Sequence, residues 1–285
     1  MGELNILSFA LTGYQFSAVY NMLSLGIASM LFTAIFLWVA RDRVLPKYRM
    51  AVMVSATVTS IAAYHYFRMF DSFSHAYGAS DETAAGIARI GGDALAYGAS
   101  HYNVGYRYID WFLTVPLLLV ELVAVLGLAK AVSSSLLKRL VPAAALMIAL
   151  GYPGDAKISI LGIEGTGFAS EAAIWGLLST IPFLYIMYVL WFEMKKSLDS
   201  QSAKVRGLFQ TLRVLLIATW GVYPITFILA MNGPEVATAQ DVVNREIGYS
   251  IADILAKCLF GLIIFSIARI KSAEEDKAHA SAEGH

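Results

Sequence analysis

Charged residues are scarce in this sequence. They make up 15% of its 285 residues, whereas a soluble domain is about one quarter charged. Neither sign is in excess, with 21 Lys and Arg against 21 Asp and Glu. The scarcity argues against an ordinary soluble globule, and the balance argues against the basic surface that a nucleic-acid partner requires. Cysteine is almost missing too. Cys258 stands alone, so no intrachain disulfide can form, and beside a lysine in an apolar run it reads as a small apolar filler. The opening "MGELNILSFALTGYQF" has no basic n-region and no clear small-residue cleavage site, so no removable signal is expected. No internal repeat of the transporter kind is visible.

Hydrophobicity is what the sequence has in quantity. Apolar residues make up 58% of the chain, and the mean hydropathy is strongly positive. Seven apolar stretches fall near 15–40, 49–70, 106–130, 133–151, 171–192, 208–231 and 247–270. Each has the roughly 20 residues that a helix needs to cross a hydrocarbon core. The expected fold is all-α, a bundle of seven transmembrane helices formed by residues 1–271 as one domain. Most connections are short, which makes successive helices antiparallel neighbours. The exception is 71–104, a Gly/Ala-rich and mildly acidic loop expected to form a small hairpin or lid. The polar, small-residue tail 272–285 is expected to be disordered.

Loop charge sets an orientation. Connections 41–49, 130–139 and 193–213 carry 4, 3 and 5 Lys or Arg, while 71–104, 152–172 and 232–246 carry 1 each. Positive residues collect on the cytoplasmic side. The N-terminus is therefore expected outside and the C-terminus in the cytoplasm, with odd-numbered helices running inward.

Several ionisable residues fall inside the spans. Charges in lipid are costly, so they face the bundle interior and pair with one another. The seventh span, "SIADILAKCLFGLIIFSIARI", holds Asp253 and Lys257 on one helix face by their i, i+4 spacing. The third, "YRYIDWFLTVPLLLVEL", holds Arg107, Asp110, Thr114 and Glu121, and the second holds His65 in "AAYHYFRMF". Eleven residues at about 1.5 Å each put Glu121 roughly 16 Å to the cytoplasmic side of Asp110. His65 falls at the depth of Asp110. Taken singly, each has a plainer reading. Lys257 could snorkel to a surface, although it lies ten residues into its span. Asp253 could be a structural salt-bridge partner, Glu121 a polar contact between helices, and His65 a satisfied core histidine. Together they form a line of protonatable groups across the membrane, which a proton path requires.

Aromatics accompany this line. The sixth span carries Trp220, Tyr223 and Phe227 on one face of "TWGVYPITF"; Trp111 follows Asp110, and Phe183 sits in "STIPF". Such stripes are often core packing or an interfacial belt. Here they lie at the depth of a buried amine, and a lysine desolvated in an apolar cage readily condenses with an aldehyde.

The segments "RYIDWFLTVPLLLVEL" and "DILAK" resemble the signature segments of the microbial rhodopsins, and of the proteorhodopsin and xanthorhodopsin group in particular. The resemblance covers all seven spans. It implies all-trans-retinal bound to Lys257 as a protonated Schiff base, and a light-driven outward proton pump rather than an enzyme. By the same resemblance Asp110 is the proton acceptor and counterion, Asp253 the second counterion and Glu121 the cytoplasmic donor. His65 is the acceptor's partner, Thr114 the hydroxyl one turn from the acceptor, and Arg107 the arginine beneath the pair. Trp111, Trp220, Tyr223 and Pro224 flank the retinal, with Phe183 and Phe227 nearby, and Leu118 occupies the position that tunes colour, where an apolar residue implies green absorption. Gly176 in "AIWGLLSTIPF" stands where many rhodopsins hold tryptophan; it implies a lateral window for a carotenoid antenna, with close helix packing as the alternative. The resemblance also implies a multi-pass protein of a bacterial inner membrane, embedded in lipid, homo-oligomeric and exchanging protons. A photosensory rhodopsin signalling through a partner is the alternative function, although such proteins usually lack the carboxylate at Glu121. A sodium pump would carry Asn, Asp and Gln where this chain has Asp110, Thr114 and Glu121, and a chloride pump would lack the carboxylate of Asp110. For outward release of the proton, Glu235 and Glu246 are candidates by location alone.

Overall fold

Thr12 starts the first long helix. Its side chain accepts from Gln15 N, and Gln15 returns the bond to the Thr12 N–H, a reciprocal pair that satisfies two free donors of the first turn. Helix α1 then runs Gly13–Ala40 and α2 runs Pro46–Tyr77, the latter opening on a proline whose missing N–H costs nothing at that position. Next come α3 (Gly105–Val125) and α4 (Lys130–Asp155). Ser170 and Ser202 cap α5 (Glu171–Tyr188) and α6 (Ala203–Trp220) by accepting from Ala173 N and Val205 N. Helix α7 comprises Ala239–Ile254, a π-helical turn at Leu255–Leu259, and Phe260–Glu283. This computed structural model describes residues 10–77, 89–90, 102–156, 158–163, 165, 167–222, 225 and 239–283.

Among the described residues, α1 to α5 and α7 are long and apolar enough to cross a membrane, and α6 is described over 18 residues. Sequence neighbours pack side by side from α1 to α5, and α7 touches α1, α2, α3 and α6, so the seven helices surround a shared interior. Prolines stand inside α3, α4 and α5, as membrane helices packed in a bundle tolerate. Large apolar side chains face outward: Phe32 is 67% exposed, Val39 73% and Leu177 66%. On a soluble protein such a surface would be a liability; on a membrane protein it faces lipid.

Three features depart from the expectations. Helix α2 continues through Tyr77, well past residue 70, because polar Asp71 and His75 pair on its exposed face at 3.3 Å while Ser72, Phe73 and Ala76 stay buried. Within the long connection, strand β2 (Arg89–Ile90) pairs antiparallel with strand β1 (Ala10–Leu11), ahead of α1, rather than with a strand of its own loop. Residues 78–88 and 91–101 lie outside the described residues. Finally, α7 runs to Glu283, so the segment from residue 272, expected to be disordered, is helical to that point. Its Ala, Glu and Lys are strong helix formers, and Ser272 and Glu275 bind the α1–α2 connection and the start of α2.

Candidate functional site

Lys257 is 2% exposed, in the middle of α7. The π-helical turn Leu255–Leu259 holds it; such insertions change the phase of a helix and occur often at functional positions. Its Nζ donates to Asp110 Oδ2 at 2.5 Å and to Asp253 Oδ1 at 2.9 Å. The i, i+4 spacing thus places Asp253 and Lys257 together on α7, and α3 brings Asp110 to the same nitrogen from the other side.

The two carboxylates differ in their support. Asp253 also accepts from Tyr66 OH at 2.9 Å, Trp111 Nε1 at 3.0 Å and Arg107 Nη1 at 3.2 Å. It is fixed from α2 and α3 at once. Asp110 is fully buried, and its Oδ1 has no hydrogen-bond partner among the described residues. Thr114 donates to the Asp110 backbone carbonyl at 2.8 Å, not to its carboxylate. His65 Nδ1 lies 3.9 Å from Asp110 Oδ1 and is bonded instead to the Ile61 carbonyl at 3.0 Å. His65 is therefore beside Asp110, at the distance of an ion pair rather than a direct hydrogen bond.

Arg107 joins two carboxylates. While Nη1 reaches Asp253, Nη2 donates to Glu246 at 2.6 Å, and Tyr102 OH donates to the same Glu246 oxygen at 2.7 Å. Glu246 is 1% exposed. Location had made it a candidate together with Glu235, which lies outside the described residues. Tyr66, by contrast, had not been singled out. Its signal was available, since Ala62, Tyr66, Met69 and Phe73 repeat at three- and four-residue spacing on the buried face of α2. Gly26 of α1 makes room for that ring, because a Cβ there would overlap it.

Glu121 lies on α3 towards the opposite end of the bundle from Arg107. It is fully buried, and neither carboxylate oxygen has a hydrogen-bond partner among the described residues. Its neighbours are Leu118 and Leu122 on its own helix and Ser55 of α2, whose hydroxyl donates to the Ala51 carbonyl. A buried charge without a partner is costly in such a setting.

A cavity of about 280 Å3 begins at Lys257. Trp111, Leu118, Phe183 and Trp220 line it, as do Gly176 and Leu177 of α5. An apolar group attached to Nζ fits this space, whose walls are mostly apolar and aromatic, with Asp253 and Asp155 as the carboxylates among the lining residues. Tyr223, Pro224 and Phe227 lie outside the described residues.

Residues 17–271 match the bacteriorhodopsin-like protein family. The chain is 33% identical to a green-light absorbing proteorhodopsin from Gamma-proteobacterium EBAC31A08 over 85% of this chain and 82% of that one. It is 30% identical to a blue-light absorbing proteorhodopsin from Gamma-proteobacterium Hot 75m4 over the same shares. Its structure superposes on that of xanthorhodopsin, a light-driven ion pump with dual chromophore, with a TM-score of 0.84 and 42% identity, covering 94% of this chain and 99% of the other. Similarity of this extent over nearly the whole length, together with a lysine held between two aspartates inside a seven-helix bundle, identifies the chain as a member of the bacteriorhodopsin-like family, a microbial rhodopsin of the proteorhodopsin and xanthorhodopsin type.

Proposed function

We propose that this rhodopsin exports protons, using all-trans-retinal linked to Lys257. The observation that carries the reading is the placement of Lys257 Nζ between Asp110 and Asp253, with Arg107 towards one end of the bundle and the buried Glu121 towards the other. When bound, retinal supplies light absorption and an isomerisation that changes the position and proton affinity of Nζ. Every other part of the cycle rests on the chain's own residues.

In the dark, the positive charge at Nζ and the two carboxylates stabilise one another, as opposite charges do at close range away from water. The incompletely bonded Asp110 is the better acceptor of a proton from Nζ, because Asp253 is already held by Tyr66, Trp111 and Arg107. His65 Nδ1 stands 3.9 Å from Asp110 Oδ1, beside the proposed acceptor. Glu121 supplies a proton to Nζ from the other side. Asp110 then releases its proton past Arg107, which is already bonded to Glu246. Twelve Lys and Arg on one set of connections against three on the other support an orientation in which the Glu121 end is cytoplasmic, so the transfer is outward.

A carotenoid antenna is the finer part of the proposal. Gly176 and Leu177 both line the Lys257 cavity, and Leu177 is 66% exposed, so the cavity lies close to the lipid-facing surface of α5 at this point. Similarity to xanthorhodopsin supports the same reading. Gly176→Trp should abolish any energy transfer from an added hydroxylated carotenoid, read in the excitation spectrum, and leave retinal pumping intact; energy transfer that survives the substitution rejects the window.

Pumping is tested by illuminating cells that express the protein with retinal. The unbuffered medium should acidify, a protonophore should abolish the signal, and Lys257→Ala should lose both the visible band and the acidification. A medium that turns alkaline, or a visible band that persists without Lys257, overturns the reading.

A further inference from the structure

On the cytoplasmic side of Glu121, by position along α3, α6 and α7, the interior is largely apolar, with buried Arg213 next to Leu212 on α6. Val125 and Leu126 of α3, Phe209 and Leu212 of α6, and Ile264 and Ile267 of α7 belong to one buried cluster and are each at most 1% exposed. This layer separates the level of Glu121 from the cytoplasmic end of the bundle. Packed apolar side chains of this kind are a poor path for a proton.

Lys271 sits over that layer. It lies 14 residues beyond Lys257 on α7, about 21 Å along the helix, and is 8% exposed. Its Nζ donates to the Leu126 carbonyl at the end of α3, at 2.5 Å, and to Gln201 Oε1, just ahead of the Ser202 cap of α6, at 2.7 Å. The same ammonium lies 5.1 Å from the centre of the Tyr48 ring at the start of α2. A cation on the last carbonyls of a helix is favourable, and bonds to a charged donor are the stronger kind. The site is shaped for this contact. Gly127 takes φ +62°, and a Cβ there would come within 3.1 Å of the Tyr48 ring and 3.7 Å of Lys271 Nζ. The next residues of α7 hold the lysine in place: Ser272 Oγ accepts from Leu45 N at 2.9 Å, and Glu275 accepts from Tyr48 OH and pairs with Lys47, both at 2.5 Å.

We propose that Lys271 is the latch of the cytoplasmic gate, a positioning residue that ties α3 to the lead-in of α6 and must release one of them before Glu121 can take up a proton. The inference rests on the outward-pump reading above. It assigns the uptake step to three parts of the fold, namely the end of α3, the α5–α6 connection and the helical extension of α7.

The test measures proton uptake after a flash, with a pH-indicator dye, in membranes carrying the parent protein, Lys271→Met, Lys271→Arg and Gln201→Ala. Losing the hydrogen bonds of a charged donor should speed uptake on the order of tenfold in Lys271→Met, with a smaller acceleration in Gln201→Ala. Lys271→Arg, whose guanidinium still donates to both oxygens, should return to near the parent rate. The absorption maximum and the earlier transfer from Nζ to Asp110 should stay at parent values in all three, which a general loosening of the fold would not allow. Gln201→Ala keeps the test decisive if Lys271→Met fails to assemble. Uptake that is unchanged or slower in these variants overturns the latch alone. A parent that takes up no proton in the light refutes the pump, and the latch falls with it.

Discussion

Replacing Glu121 by glutamine removes a proton without changing the volume or shape of the side chain. Glu121 contacts neither Lys257 nor its two aspartates, and its polar neighbour Ser55 can bond an amide as well as an acid, so the pigment should form with its colour unchanged. The kinetics should change in a calculable way. With Glu121 as the proposed donor, Nζ is reprotonated from a group inside the protein, and the rate should not depend on external pH. Without it, the proton must come from bulk water. Bulk water at neutral pH offers very few free protons, so supply from it is slow and proportional to their concentration. The buried layer of Val125, Leu126 and Ile267 reduces this further. The sharper signature is the order of reaction: in Glu121→Gln the reprotonation rate should fall tenfold for each unit rise in pH. Flash photolysis from pH 6 to 9 measures this directly, and a small membrane-permeant weak acid should restore the rate by carrying the proton in. A pH-independent reprotonation at the parent rate in Glu121→Gln would remove this residue from the donor role.

Three further outcomes test other parts of the site. Leu118→Gln puts a polar amide in the wall of the Lys257 cavity, so the visible band should move to the blue; an unmoved maximum in the absorption spectrum means the side chain does not touch the chromophore. Glu246→Gln leaves the contacts of Nζ intact but weakens the charged bond to Arg107 at 2.6 Å, so the colour should hold while light-driven proton appearance outside is delayed, as measured by an external dye; an unaltered release rate would separate Glu246 from the exit. Gly26→Val forces the Tyr66 ring away from Asp253 and should cost about 1–3 kcal/mol by overpacking. Heating should then bleach the pigment of that variant at a lower temperature, and an unshifted bleaching curve would show that α1 can yield at this point.

The membrane class, the seven spans and the pairing of Asp253 with Lys257 were legible in the sequence, because they depend on local quantities. Hydropathy over about 20 residues defines a span, and i, i+4 spacing on one helix defines a shared face. Distant contacts were legible only in part. Asp110 and Lys257 are 147 residues apart, and depth in the bilayer with helix direction placed them at one level but gave no distance. Only the tertiary structure decided that Trp111 and Tyr66 both bond Asp253, that Arg107 bridges Asp253 to Glu246, and that His65 stands at 3.9 Å rather than in a hydrogen bond. Those outcomes depend on the rotation of each helix about its axis, which packing against several neighbours sets jointly. The tail shows the same division. Composition alone made residues from 272 onward polar and unstructured, yet Ser272 and Glu275 gain partners 227 positions away, and those contacts extend α7 to Glu283.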